Sequence, residues 1–282
     1  MSEILSPDQL PGLVTLAVVT FIAGAVNAVA GGGTILTFPV LASILPADPG
    51  RMVTANATST IGLWPGAIAG AWAYRDERVG QPRWAGWLLV PSVAGAVAGA
   101  ILVLVLPPRI FDVCVPWLIL LAATLFAVQP QLSRLGRRAA GAAAPAAGAT
   151  VPARPATARL WMAATLQFFV GLYGGYFGAG IGILMLAVLG LLGLGDIHRL
   201  NAVKNVLGMA INGTAAILFA AGSVVGGQHD VSWPHAAIMA VAAVLGGLGG
   251  AAVARRLPAP LVRRCVAAIG FALAAYYFWR SG

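Results

Sequence analysis

The sequence predicts an all-α integral membrane protein built from two inverted-topology repeats of about five membrane segments each, with short broken or re-entrant helices after glycine-rich breaks. Three observations carry that prediction. Hydrophobic residues make up 60% of the chain and charged residues 9%, against roughly a quarter charged in soluble domains, so the bilayer is the matching solvent. The apolar pattern is written twice. The basic residues cluster in the loops of one side, which sets the orientation of both copies.

The duplication is read directly from the residues. G-A-V-N-A-V-A-G-G-G from Gly24 to Gly33 recurs as G-L-Y-G-G-Y-F-G-A-G from Gly171 to Gly180, an offset of 147 residues. The same offset pairs Ala55 with Ala202, Thr58 with Asn205 and Gly66 with Gly213. After a four-residue insertion the offset becomes 151, pairing Gly95 with Gly246, Gly99 with Gly250, Pro107 with Pro258 and Cys114 with Cys265. The copies occupy 1–129 and 160–282, joined by a Pro-, Ala- and Arg-rich stretch, 130–159, expected to be a flexible cytoplasmic linker.

Taken in order, apolar runs cover 12–30, 53–74, 84–106, 110–129, 160–178, 200–222, 234–254 and 261–279, each near the roughly 20 residues a helix needs to cross hydrocarbon. The runs 34–46 and 181–195 are too short, and each directly follows a glycine break. Met1 to Gln9 carries Glu3 and Asp8 rather than a basic segment, so no cleavable signal peptide is expected. With the linker cytoplasmic and five segments per half, 13 of the 17 basic residues fall inside. Both termini are then periplasmic, and the odd number of segments inverts the second copy. Trp64, Trp72, Trp84, Trp87 and Trp233 read as an interfacial aromatic belt. Cys114 and Cys265 read as two buried small hydrophobes rather than a disulfide.

The glycine breaks predict a cavity. Inside hydrocarbon every backbone polar group must be paired, so Gly31, Gly32 and Gly33 can leave helical geometry only where protein or a wet cavity surrounds them. Gly178 and Gly180 carry the weaker copy. The N–H groups at the start of the short helices after Gly33 and Gly180 form an anion-attracting end, aided by the helix dipole. Gly95/Gly99 and Gly246/Gly250 read instead as close helix packing.

One lysine occurs in the chain, Lys204, and it is expected to be the only charge held inside a span, without an acidic neighbour there. Asn201, Lys204, Asn205, Gly208 and Asn212 share one helical stripe. All five asparagines, with Asn27 and Asn56 completing the set, lie in the repeat cores. Amides and an ammonium in a membrane face a bundle interior or a water-filled route. Thr58 and Ser59 supply hydroxyls in the other copy, where Ala57 replaces the lysine. The competing readings are that Lys204 snorkels to the headgroups and that the asparagines bridge helices. Arg51 and His198, equivalent at the mouths of their helices, are gate candidates.

The stretch N-A-V-A-G-G-G-T-I-L-T-F-P-V-L from Asn27 to Leu41, followed by A-N-A-T-S from Ala55 to Ser59, resembles the sulfite exporter TauE/SafE family of membrane permeases. The resemblance covers nearly the whole chain apart from the linker. It implies a bacterial inner-membrane carrier exporting sulfite, organosulfonates or related small sulfur oxyanions, without a bound cofactor. Gly31, Gly32, Gly33, Pro39, Thr58 and Ser59 carry over by motif match. The second copy departs from it, with Ala179 interrupting the glycines and Leu186 in place of proline.

The expected mechanism is alternating access around a mid-membrane anion site made by Lys204, Asn201, Asn205, Asn56, Thr58 and Ser59 with backbone N–H groups of both breaks. An inside-negative potential favours anion efflux by about 2.3 kcal/mol per charge per 100 mV, so obligatory proton antiport is not expected. The alternatives are a carrier of another small anion and a non-transporting scaffold. Three histidines and two separated cysteines offer little to metal or nucleophilic chemistry. No metal, cofactor or nucleic-acid partner is expected, nor an enzyme; a monomer and a homodimer both satisfy the sequence.

Overall fold

The computed structural model describes residues 9–29, 32–73, 83–142, 157–192, 194, 197–225, 231–254 and 259–281. The described residues form eleven helices: α1 (Leu10–Val29), α2 (Thr34–Ile44), α3 (Arg51–Ala73), α4 (Arg83–Trp87), α5 (Leu89–Val105), α6 (Pro108–Ala142), α7 (Thr157–Tyr176), α8 (Ile181–Leu191), α9 (Ile197–Val224), α10 (Trp233–Ala254) and α11 (Ala259–Ser281). Among these residues, Leu10–Asn27, Trp84–Val105, Pro108–Leu132 and Leu200–Val224 are long and apolar enough to cross a membrane. α3 is as long as a span, at 23 residues, but its Thr54, Asn56, Thr58, Ser59 and Thr60 dilute its hydropathy. The protein's own interior buries four of these five.

Both apolar helices that follow the glycine breaks are short. α2 and α8 have 11 residues each, about 16 Å at 1.5 Å per residue, roughly half the hydrocarbon thickness. A methyl on Gly33, at the start of α2, would lie 2.6 Å from the Ala23 carbonyl oxygen, and one on Gly12, near the start of α1, 3.2 Å from Ile44 at the end of α2. α2 therefore runs back along α1. At the second break Tyr173 donates a hydrogen bond to the Ala179 carbonyl at 2.7 Å, and the chain turns over that ring into α8.

The two breaks touch. Gly32 has φ +115°, and any Cβ on it would collide with the backbone N and Cα of Gly180, itself at φ +77°. Only glycine meets both demands at Gly32, a positive φ and a backbone-to-backbone approach. Phe38 of α2 seals the same region, its ring edge-on to Phe177 at 5.3 Å and fully buried.

Small residues set the contacts between halves. α1 packs against α10 through Gly24 on the Ala243 carbonyl and Gly246 on the Phe21 carbonyl. α7 packs against α5 through Gly171 on the Ser92 carbonyl and Gly95 on the Phe168 carbonyl. These are the same contacts at the two sequence offsets, with the halves exchanged. α3 meets α9 and α6 meets α11, so each pairs with its own counterpart.

Four expectations are corrected. α6 continues through Pro130 to Ala142, so the first part of the expected linker is helical. A proline inside a helix removes one hydrogen bond and kinks it, and the Leu-, Arg- and Ala-rich run beyond resumes the helix. Residues 143–156 lie outside the described part. Cys114 is half-buried and Cys265 exposed, both as free thiols, because an apolar helix face turned outward needs no protein cover in a membrane. Trp64 is no belt residue: its indole nitrogen is buried without a hydrogen bond, and a methyl on Gly213 of α9 would lie 2.6 Å from it. Asp112 lies inside the Pro108–Leu132 span, so Lys204 is not the only charge within a span.

Candidate functional site

A cavity of about 30 Å³ lies between four helices, lined by Asn27 of α1, Ala67, Gly70 and Ala71 of α3, Ile181, Gly182 and Met185 of α8, and Lys204, Asn205, Gly208, Met209 and Asn212 of α9. That volume holds a water or two. A sulfur oxyanion enters only when the walls separate or the two methionine side chains turn aside.

Each wall has a local reason to be there. The α9 stripe delivers Lys204, Asn205, Gly208 and Asn212 at helical spacing, and Gly208 leaves room in front of Met185, whose Cε would lie 3.6 Å from an added methyl. Lys204 is eight residues into α9, about 10 Å from its start, and 2% exposed. It points into protein and does not snorkel. The Asn205 amide nitrogen is buried and makes no hydrogen bond. A buried donor left so costs about 1–3 kcal/mol unless a guest accepts from it.

The breaks contribute unequally. Ile181 and Gly182, the first residues of α8, line the cavity, and Gly180 before them gives no side-chain cap, so the positive end of that helix faces it. A methyl on Gly178 would lie 3.6 Å from Asn212 Oδ1 and 3.9 Å from Thr34 Oγ1. The first break instead closes on itself: the Gly32 N–H donates to Asn27 Oδ1 at 3.0 Å. That bond turns the Asn27 carbonyl toward the break and leaves its NH₂ as the end available to the cavity.

The structure thus brings together Lys204 and Asn205, with Gly180 leading into their cavity and Gly178 beside Asn212. It does not bring Asn201, Asn56, Thr58, Ser59, Gly32 or Gly33 to the cavity wall. The Asn56 amide donates to the Tyr176 carbonyl at 3.0 Å, Thr58 accepts from the Ser232 N–H at 3.0 Å, and Ser59 shares a 2.6 Å hydrogen bond with Thr37. These three hold α3 to the second break, to the start of α10 and to α2. Gly31 and the side chain of His198 lie outside the described residues. Sequence reasoning named Asn27 only as a member of the amide set and Asn212 on the α9 stripe, and missed Ala67, Met185 and Met209. The signal for Met185 was its position one turn after Ile181 on the short helix.

A second cavity, of about 300 Å³, lies at the other end of α3, lined by Ala47, Asp48, Arg51, Met52, Asp112, Pro116 and Tyr277. Arg51, the gate candidate, faces Asp112 there with a favourable charge interaction. Among the described residues no group of three or more His, Cys, Asp or Glu side chains is placed to hold a metal.

A multi-helix apolar bundle with two short helices after glycine breaks, around a cavity lined by a lysine and three asparagines, has the build of a multi-pass membrane transporter. The sequence pattern of the sulfite exporter TauE/SafE family matches residues 16–277. The chain belongs to that family. It is 26% identical over 271 residues to a "Probable membrane transporter protein" of Haemophilus influenzae, covering 96% of each chain. It is also 26% identical over 266 residues to "Probable membrane transporter protein ORF9" of a Sinorhizobium species, covering 93% of this chain and 90% of that one. No solved structure matches.

Proposed function

We propose that this protein exports small sulfur oxyanions, sulfite or organosulfonates, across a bacterial inner membrane by alternating access around the Lys204 cavity. The observation that carries this reading is the donor set: a buried lysine, a buried amide nitrogen without a partner and the start of α8, all at one space that no carboxylate among the described residues lines. Preorganised donors in a dry site favour an anion far more than they would in water. The two halves are inverted repeats with both termini periplasmic. The exchange of the Gly24 and Gly246 contacts for the Gly171 and Gly95 contacts supports a two-fold relation between the halves. The halves rock about the contact of Gly32 with Gly180, which opens the cavity to one side and then the other.

The test is efflux of labelled sulfite from proteoliposomes holding an inside-negative potential, compared with protein-free vesicles. The reading expects potential-dependent efflux that needs no imposed pH gradient. Vesicles that release sulfite no faster with the protein than without it would overturn it.

A further inference from the structure

We infer that the species carried through the Lys204 cavity is singly charged, hydrogen sulfite or an alkylsulfonate, and that doubly charged sulfite and sulfate are rejected. The inference rests on the proposed transport of sulfur oxyanions and specifies its charge. Four elements meet at the cavity. α1 contributes Asn27, α3 only Ala67, Gly70 and Ala71, α8 Ile181, Gly182 and Met185, and α9 Lys204, Asn205, Gly208, Met209 and Asn212. Among the described residues Lys204 is the sole titratable or charged group that lines it.

One ammonium balances one negative charge. A dianion would leave a full charge uncompensated inside the membrane, where the surrounding wall is alkyl and thioether rather than water. The amides of Asn27, Asn205 and Asn212 can share hydrogen bonds with a second oxygen but bring no charge. Arg51, the other cation considered for the pathway, lines the separate cavity at the opposite end of α3 and cannot act on a guest beside Lys204. The apolar side is equally specific. Met185 and Met209 are flexible and polarisable, and with Ala67 and Ala71 they form a wall that suits a short alkyl group or a bare sulfur face better than a fourth hydrated oxygen.

The experiment uses proteoliposomes of the full chain and three probes: methanesulfonate, a monoanion throughout; sulfate, a dianion throughout; and sulfite, which changes from monoanion to dianion around neutral pH. Initial rates are taken in mildly acidic and mildly alkaline buffer, with current recorded beside tracer flux. Methanesulfonate, whose charge is the same in both buffers, reports any change in the protein itself, and the other fluxes are read relative to it. Sulfite flux should fall in the alkaline buffer in proportion to the fraction of hydrogen sulfite. Sulfate should be slower by on the order of a hundredfold, the effect of one uncompensated charge at mid-membrane, and each methanesulfonate should carry one charge. Sulfate moving as fast as methanesulfonate, or sulfite flux unchanged or rising in the alkaline buffer, would overturn the inference and leave sulfur-oxyanion transport standing. Failure of all three anions to move would overturn both.

Discussion

Replacing Lys204 with methionine should lower the affinity for methanesulfonate close to a thousandfold. The lysine is 2% exposed, so bulk water does little to screen it. An ammonium and a monoanion about 4 Å apart at an effective dielectric constant near 20 attract by about 4 kcal/mol. At about 1.4 kcal/mol per tenfold, that is nearly three powers of ten. The donors that remain, the Asn205 amide and the start of α8, hold a residual affinity. Methionine fills similar space among Met185, Met209 and Ile181, so the substitution removes the charge without opening a void. The assay is titration calorimetry on detergent-solubilised protein alongside a thermal melt of each variant. Affinity reduced less than tenfold in a variant with a normal melt would refute the reasoning, since the charge would then be elsewhere than in the site.

Three further outcomes follow from other contacts. Gly32→Ala should destabilise by about 2–5 kcal/mol, from its positive φ and the collision with Gly180, whereas Gly180→Ala, whose nearest neighbour would lie 3.5 Å away, should lose about 1–2 kcal/mol from backbone conformation alone; thermal melts rank the two. Ser59→Ala breaks the 2.6 Å bond to Thr37 and should lose about 1–3 kcal/mol of stability with unchanged anion affinity, and an affinity loss without a stability loss would return Ser59 to the site. Arg51→Gln and Asp112→Asn should show a coupling of about 0.2–1 kcal/mol in a double-mutant cycle read by melting, and strictly additive effects would remove any link between them across the second cavity.

Much of this was legible in the sequence because membrane chemistry leaves few options. Three consecutive glycines ahead of an undersized apolar run have one physical use, an irregular backbone packed inside protein, and Gly32 against Gly180 is that use. The α9 stripe could be read because helical spacing alone decides which side chains share a face; Lys204, Asn205, Gly208 and Asn212 do. Asn201, one turn earlier, does not reach the cavity, since its depth depends on how far α9 rises past α8. The hydroxyl and amide residues of α3 were misplaced for a related reason. Composition marks them as polar groups needing partners, but it does not distinguish a ligand from a backbone carbonyl, and Asn56 found Tyr176. Pro130 looked like a boundary and proved to be a position within a helix. Asp112 passed unnoticed because an apolar run of that length hides one acid near its end.

The most direct test of the central claim is counterflow of labelled sulfite in proteoliposomes of the wild type and of Gly208→Leu. An added methyl on Gly208 would meet Met185 at an ordinary 3.6 Å, and the rest of a leucine exceeds the 30 Å³ of the cavity, so it fills the space and pushes Met185 aside. Sulfite exchange should be robust in the wild type and lost in the variant, with both folded by circular dichroism. Exchange that persists in the filled variant would place the pathway somewhere other than between α3, α8 and α9.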